Sequence, residues 1–331
     1  MPELRQNIVT REWVIIASER SRRPNDFTGA HQRTLTETYN AYDAGCPFCP
    51  GNEELDLEVE RFPCEGPWQT RVVRNKFPAL QNDGIPARDF SGVYHRISGV
   101  GYHEVLVDHP QHNTTLALMS PHEIYLVLDA FQRRGIAMSG DPRIEHIIYF
   151  KNHGETAGAS LQHPHSQIIA LPVVPGGVHR RMEAARHYFR DTGRCSVCDM
   201  LQSEAESQER MIGHGKHFSA FLLFAALSPF HIWVVPHRHM ASFLDVEPQE
   251  MADLAQLLGV VLRRIYFSLH DPDYNMIIRT TPVREANCTF FHWYLSLVPR
   301  VSRMAGFEMG SGMHINPCLP EECASFLKAD H

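Results

Sequence analysis

Two histidines stand two residues apart in His163-Pro164-His165. Ser166-Gln167 follow, and then a short apolar run, Ile168 to Leu171, that stops at Pro172. A short apolar run closed by proline predicts a buried strand. Residues i, i+2 and i+4 of a strand share one face, so His163, His165 and Gln167 are expected side by side. Two imidazoles and a carboxamide are costly to bury alone; a metal, a ligand or a phosphate would satisfy them. Just upstream, Asn152 to Ser160 is rich in glycine and alanine. Small residues let backbone N–H groups come close to an anion. Such a loop, running into H-x-H-x-Q, points to a histidine placed to attack phosphorus. A neutral imidazole attacks phosphorus well and leaves it well, so one displacement becomes two easier ones. It needs one ring nitrogen free and the other N–H held by an acceptor, often a backbone carbonyl. Pro164 has no N–H, and its ring fixes the backbone between the histidines. Two other readings compete. With 21 histidines in 331 residues, some H-x-H pairs arise by chance. A hydrolase could hold zinc with both imidazoles, although Gln167 then stands where another ligand would serve better.

A second set of residues suits metal. Eight cysteines include two C-x-x-C pairs, Cys46/Cys49 and Cys195/Cys198. Met1-Pro2-Glu3-Leu4-Arg5 opens the chain without an apolar signal segment, so a cytoplasmic location is expected. In that setting such pairs point to metal or redox chemistry rather than a disulfide framework. Cys46 and Cys49 have the zinc bite, and His112 and His163 can close a Cys₂His₂ tetrahedron. A closed site of this kind is structural. His109 competes with His112 for the third place.

The elements that must hold these residues follow from pattern. Trp13–Ile16, Arg71–Val73, His103–Val107 and Ile144–Phe150 read as strands, and residues 25–45 as loop. Arg20 to Pro24 is a dense basic cluster, a pattern that most often marks a solvated charge run. Ser120, Pro121 and Glu123 predict a capped helix start, with Ile124, Val127, Leu128 and Phe131 on its apolar face. The order then repeats. Cys195/Cys198 lead to strands, to His239, and to a helix with Pro248 at its first turn and Met251, Leu254, Leu258 and Val261 on one face. Strands near Asn275–Ile278 and His292–Pro299 follow. His112 to Pro121 is nine residues and so is His239 to Pro248; His112 to His165 is 53 and so is His239 to His292. Matched intervals argue for a duplicated unit of strands plus one helix. The division falls near Pro175–Thr192, giving halves 1–175 and 176–331. The nucleophile lies in the first half, and the second is structural and substrate-contacting. The repeat favours His112 over His109, because His239 aligns with it. It also predicts a second zinc, held by Cys195, Cys198, His239 and His292, with His237 as the alternative fourth ligand. By count Phe290 falls at the place of His163 and His292 at that of His165, so a small bulge would be needed to bring His292 to the metal.

Bulk properties exclude several classes. The chain is 43% hydrophobic and 21% charged, ordinary for a globular protein that buries a large core. A net charge of −7 gives no global basic field to gather nucleic acid. Phe218 to Leu227, the most apolar run, is ten residues long, too short to span a bilayer, and reads as a buried strand.

Taken in order, these residues resemble the galactose-1-phosphate uridylyltransferase family, the transferase branch of the histidine-triad superfamily. The resemblance covers nearly the whole chain. It rests on Arg20–Pro24, the first C-x-x-C, Asn75 within Asn75-Lys76-Phe77-Pro78, the Asn152 loop, His163-Pro164-His165-Ser166-Gln167 and Gly306-Phe307-Glu308. It implies an α+β fold: a duplicated histidine-triad-like unit with a mainly antiparallel sheet and helices packed on it. It implies His165 as nucleophile, His163 as a zinc ligand, and Gln167 and Ser160 on the transferred phosphoryl group. Arg20, Arg23, Asn75 and Asn152 would lie around the nucleotide phosphates. Gly306, Phe307 and Glu308 would reach the sugar phosphate, often across a homodimer. Where hydrolases of the superfamily carry a third histidine, Gln167 favours a lasting nucleotidyl-histidine. The second C-x-x-C is similar to the plant-type branch, which moves adenylyl groups. The implied partners are a nucleotide sugar and a sugar 1-phosphate or phosphate, with about two zinc ions per chain. Uridylyl transfer to a hexose 1-phosphate is the expected activity, and adenylyl transfer of the ADP-glucose or adenylylsulfate type the alternative. A nucleoside-phosphate hydrolase and a zinc-stapled binding module without catalysis are the competing classes.

Overall fold

A computed structural model describes residues 1–17, 24–27, 34–302 and 304–329. Arg20 and Arg23 fall outside these. The chain opens with β1 (Glu3–Gln6) and β2 (Trp13–Ile16). It continues through β3 (Glu58–Phe62), β4 (Thr70–Arg74), β5 (Arg88–Ser91), β6 (Tyr94–Ile97) and β7 (Tyr102–Val107) to α1 (Pro121–Ser139). Next come β8 (His146–His153), β9 (His165–Leu171), α2 (Gly176–Thr192) and α3 (Ser196–Ser207). The second half contains β10 (Met211–His214), β11 (Phe218–Leu222), β12 (Ile232–Pro236), α4 (Pro248–Leu269), β13 (Tyr274–Arg279) and β14 (Tyr294–Pro299). It ends with α5 (Gly306–Ser311), β15 (His314–Asn316) and α6 (Pro320–Lys328).

Ten strands form one antiparallel sheet in the order β10-β11-β12-β14-β13-β8-β9-β7-β4-β3. Its centre is the β8–β13 ladder, where Asn152 faces Asn275 and the halves meet. The fold is α+β, as the family resemblance implied. The helix starts follow their sequence signals. Ser120 Oγ accepts the Glu123 N–H, and the Glu123 carboxylate accepts the Ser120 N–H at 2.7 Å. In α4, Glu250 accepts the Glu247 N–H at 2.9 Å. The expected apolar faces of α1 and α4 pack together on one side of the sheet. There they meet Leu106, Ile168, Ala170, Met276, Leu295 and Leu297, all buried in one continuous core. Strand alternation sends the intervening residues, His165 and Gln167 among them, to the opposite face. The segment taken for the division between halves is helix α2.

Three expectations are corrected. The apolar run from Phe218 is not one strand: β11 ends at Leu222, and residues 223–227 turn before β12. β9 begins at His165, so His163 precedes the strand, where it joins Cys46, Cys49 and His112. β14 begins at Tyr294, so His292 also stands two residues ahead of its strand. No bulge in the strand is needed to bring His292 to its cluster.

Candidate active site

His165 opens β9 with its side chain 7% exposed. Its Nδ1–H donates to the His163 carbonyl oxygen at 2.9 Å, which leaves Nε2 free. Burial, and after it the positive charge of Lys151, hold the imidazole below its ordinary pKa, so it stays neutral near pH 7. Lys151 and Asp108 form a buried ion pair beneath it at 2.7 Å. Lys151 Nζ also donates to the His165 carbonyl at 3.0 Å, and Ser166 Oγ to Asp108 at 3.1 Å. The backbone around His165 is thus tied on both sides.

Two cavities meet at His165. One, of about 670 Å³, is bounded by β8, the Asn152–Ser160 loop and Gln162. The other, of about 520 Å³, lies over Phe48, Arg71, Asn75, Lys76 and Gln167. Ser160, Leu161 and His165 line both. Each volume lies in the ordinary range for small-molecule sites. The loop between them is shaped by glycine and by the second half. Gly154 has φ +85°, and a Cβ there would stand 1.7 Å from Asp273 Oδ1. The Asp273 carboxylate accepts the Thr156 N–H at 2.7 Å and its hydroxyl at 2.6 Å. Among the described residues, the Ser160 and Leu161 N–H groups meet no protein acceptor, and both residues line both cavities.

His103 was not singled out from the sequence, yet it fixes the orientation of Gln167. The Ala79 N–H can only donate, and it does so to His103 Nδ1 at 3.0 Å. His103 Nε2 therefore carries the proton and donates it to Gln167 Oε1 at 2.9 Å. The Gln167 carboxamide is held by its oxygen, and its NH₂ remains available to a phosphoryl oxygen in the cavity. Asn75 Nδ2 lies 3.1 Å from the same histidine nitrogen. The Lys151–Asp108 pair was also not foreseen. Its only sequence signal is a lysine on the apolar phase of the strand Ile147-Ile148-Tyr149-Phe150-Lys151.

The expected metal ligands come together in two groups. Ligand atoms of Cys46, Cys49, His112 and His163 lie within 4.8 Å of one another, and so do those of Cys195, Cys198, His239 and His292. Tetrahedral zinc, with Zn–S about 2.3 Å and Zn–N about 2.05 Å, sets the S···N edge near 3.6 Å. Cys49 Sγ stands 3.5 Å from His112 Nδ1 and 3.6 Å from His163 Nδ1. Cys198 Sγ stands 3.3 and 3.4 Å from His239 and His292 Nδ1. His163 Nε2–H donates to the His109 carbonyl at 2.8 Å, which turns the unprotonated Nδ1 toward the thiols. Both donor sets fit a divalent metal. The competitors are otherwise engaged: His109 pairs with Glu123 at 3.0 Å, and His237 bonds Ser219 Oγ at 2.9 Å. Phe48, from the first C-x-x-C turn, packs against both histidines, 5.9 Å from the His163 ring and 5.7 Å from the His165 ring.

Not every expected residue reaches the pocket. Asn152 lines the first cavity and accepts the Asn275 amide at 2.8 Å; Asn75 lines the second. Gly306, Phe307 and Glu308 form the largely exposed start of α5 and line neither.

Comparison with known proteins decides the family. The model of the galactose-1-phosphate uridyl transferase N-terminal domain matches residues 1–175, and the HIT domain model matches 204–294. The chain belongs to the galactose-1-phosphate uridylyltransferase family. It is a nucleotidyltransferase, and members of this family act on nucleotide sugars and sugar phosphates. An ADP-glucose phosphorylase of Arabidopsis thaliana is 37% identical over 99% of this chain and 92% of its own length. A galactose-1-phosphate uridylyltransferase of Thermotoga maritima is 31% identical over 99% of this chain and 98% of its own. The crystal structure of an Arabidopsis thaliana ADP-glucose phosphorylase with bound ADP-glucose covers 100% of both chains at 34% identity, with a TM-score of 0.83. Among the described residues no helix is long and apolar enough to cross a membrane.

Proposed function

We propose that this transferase moves a nucleotidyl group by double displacement through His165. The observation that carries the reading is the His165 ring: Nδ1–H held by a carbonyl, Nε2 free, at the junction of two cavities. Nε2 attacks the α-phosphorus of a nucleotide sugar. The P–O bond to the sugar phosphate breaks, sugar 1-phosphate leaves, and a nucleotidyl-histidine remains. A phosphate oxygen of the acceptor then attacks the same phosphorus, the P–N bond breaks, and the imidazole is restored. Gln167 and Ser160 hold the phosphoryl oxygens, and Asn75, Asn152, Arg20 and Arg23 lie around the nucleotide phosphates. Gln167 can donate a hydrogen bond but cannot relay a proton to activate water, which favours transfer over hydrolysis. Gly306, Phe307 and Glu308 act across a homodimer, in keeping with their distance from the pocket of their own chain.

The donor and acceptor have two readings. Uridylyl transfer from UDP-glucose to a hexose 1-phosphate is supported by the family model and the Thermotoga relative. Adenylyl transfer from ADP-glucose to phosphate is supported by the Arabidopsis relative and by the second Cys₂His₂ cluster. Zinc fits both clusters, about two ions per chain; each would be structural, tethering loops and supplying no reacting group. Residues 1–175 form the half that carries the nucleophile, and 176–331 the half that braces it.

Rapid mixing with labelled UDP-glucose or ADP-glucose, quenched in base, tests the reading. An acid-labile phosphoramidate is expected, formed from one donor far faster than from the other and discharged by hexose 1-phosphate or phosphate. His165→Ala should form none, whereas His163→Ala should lose metal and stability. Adduct formation by the His165 variant would sink the assignment.

A further inference from the structure

The two halves can be superposed by ladder register. In the first, Gln167 faces Phe150 on one side and Val105 on the other. In the second, Ser296 faces Ile277 and Trp233. His163 and His292, each two residues ahead of its strand, both belong to metal clusters. Tyr294 therefore stands where His165 stands, and Ser296 where Gln167 stands. Arg279, the ladder partner of Tyr294, takes the place of Asn152. His231, two residues before Trp233, takes the place of His103. The contact recurs at the same length with its direction reversed: His231 Nε2, which accepts the Trp233 Nε1–H at 3.3 Å, also accepts the Ser296 hydroxyl at 2.9 Å, whereas His103 Nε2 donates to Gln167 Oε1 at 2.9 Å.

A cavity of about 260 Å³ lies at this counterpart of the active site, lined by Tyr294, Ser296, His231, Trp233 and Arg279. Tyr294 stacks on Trp233 at 3.7 Å and closes the floor. The cavity differs from the active site in charge. Arg180 and Arg181, from the first turns of α2, join Arg279 along its wall. Nitrogens of Arg180 and Arg181 both come within 3.9 Å of where a Cβ on Gly177 would stand, so the two guanidiniums converge. Among the described residues none of the three guanidiniums has a hydrogen bond or ion pair to protein, and Glu12 is the one carboxylate on the wall. Arg279 and Arg181 are half-buried and Arg180 is exposed; holding the first two together without acceptors is costly. Burial, and then Arg181, push the Arg279 pKa down. The neighbouring imidazoles remain neutral: burial holds His231 at about 3 and His146 at about 4. The uncapped N-terminus of α2 adds its positive end.

We propose that this cavity is a second oxyanion site, for the dianion of a phosphate monoester or of free phosphate, held by Arg181, Arg279 and Arg180 without chemistry. Tyr294, buried and kept protonated, offers no nucleophile there. The volume is below that of ordinary small-molecule sites, so the ligand is an ion or a small sugar phosphate rather than a nucleotide sugar.

Crystals of the full chain soaked in tungstate, as a phosphate stand-in, should show an anomalous peak between Arg181 and Arg279, separate from any at His165. Calorimetric titration with inorganic phosphate should resolve a class of sites that weakens roughly tenfold or more in Arg181→Gln/Arg279→Gln, from the charge-assisted bonds lost. The rate of nucleotidyl adduct formation should be unchanged. Arg181→Gln alone, at a half-buried position, covers the case in which the double variant fails to fold. Glucose 1-phosphate in the same titration separates the sources: tighter binding than phosphate identifies a sugar phosphate, and equal binding identifies the free ion. Wild-type and variant isotherms that coincide, or tungstate only at His165, would overturn the proposal.

Discussion

At the scale of single residues, the site depends on fixing which atom of each side chain faces the substrate. His165 is oriented by one carbonyl and Gln167 by one imidazole. Without His103, the Gln167 carboxamide is free to turn its oxygen toward the phosphoryl oxygens, where it repels rather than donates. His103→Ala should slow adduct formation roughly ten- to hundredfold, the usual cost of losing a partner that orients a site residue. The loss should appear in kcat with little change in KM, since the carboxamide matters most as charge develops. His103→Asn, which can still donate to Gln167, should recover part of the rate. Stopped-flow measurement of the adduct decides it: equal rates for all three proteins would remove His103 from the mechanism.

At the scale of elements, the Asn152–Ser160 loop is held from outside itself. Asp273, at the entry to β13, accepts two hydrogen bonds from Thr156, and Gly154 makes room for its carboxylate. Gly154→Ala places a methyl on that carboxylate and demands a left-handed φ from an L residue. A cost on the order of 1–3 kcal/mol is expected. The denaturation midpoint should fall, and KM for the nucleotide sugar should rise because the Ser160 N–H moves. An unaltered midpoint with unaltered KM would show that the Asp273 contact does not set the loop.

For the whole molecule, each Cys₂His₂ group ties together segments far apart in sequence. The first joins the Cys46–Cys49 turn, the stretch after β7 and the entry to β9; the second joins the start of α3, the stretch after β12 and the entry to β14. Only the first lies beside His165. Elemental analysis of the wild type should find about two zinc ions per chain, the occupancy of two closed sites. Cys195→Ser should lose one ion and some thermal stability but still form adduct. Cys46→Ser should lose one ion and the adduct together, because His163 precedes His165 by two residues. A wild-type count of one, unchanged in Cys195→Ser, would remove the second site.

Much of this was legible in the chain itself. The capped starts of α1 and α4, their apolar faces and the two C-x-x-C pairs rest on signals a few residues wide, while the histidines grouped with them came from the repeat. Helical period, C-x-x-C bite and the preference of Ser120 for an N-cap all act locally. The 53-residue repeat was equally plain, but counting along it misplaced His292 opposite His165. Two extra residues before β14 shift the register, and register is decided by which residues pair across a ladder, not by distance along the chain. The same reason hid His103, which meets Gln167 only because β7 lies beside β9. It hid the Lys151–Asp108 pair, which joins two strands' ends under His165. It hid the end of β11, where an apolar run turns because the sheet beside it has ended. Sequence alone determined which helices cover the sheet and which cysteines and histidines gather in two groups. Tertiary structure decided which atom of each residue faces the substrate, because pairing across strands is a property of the assembled sheet.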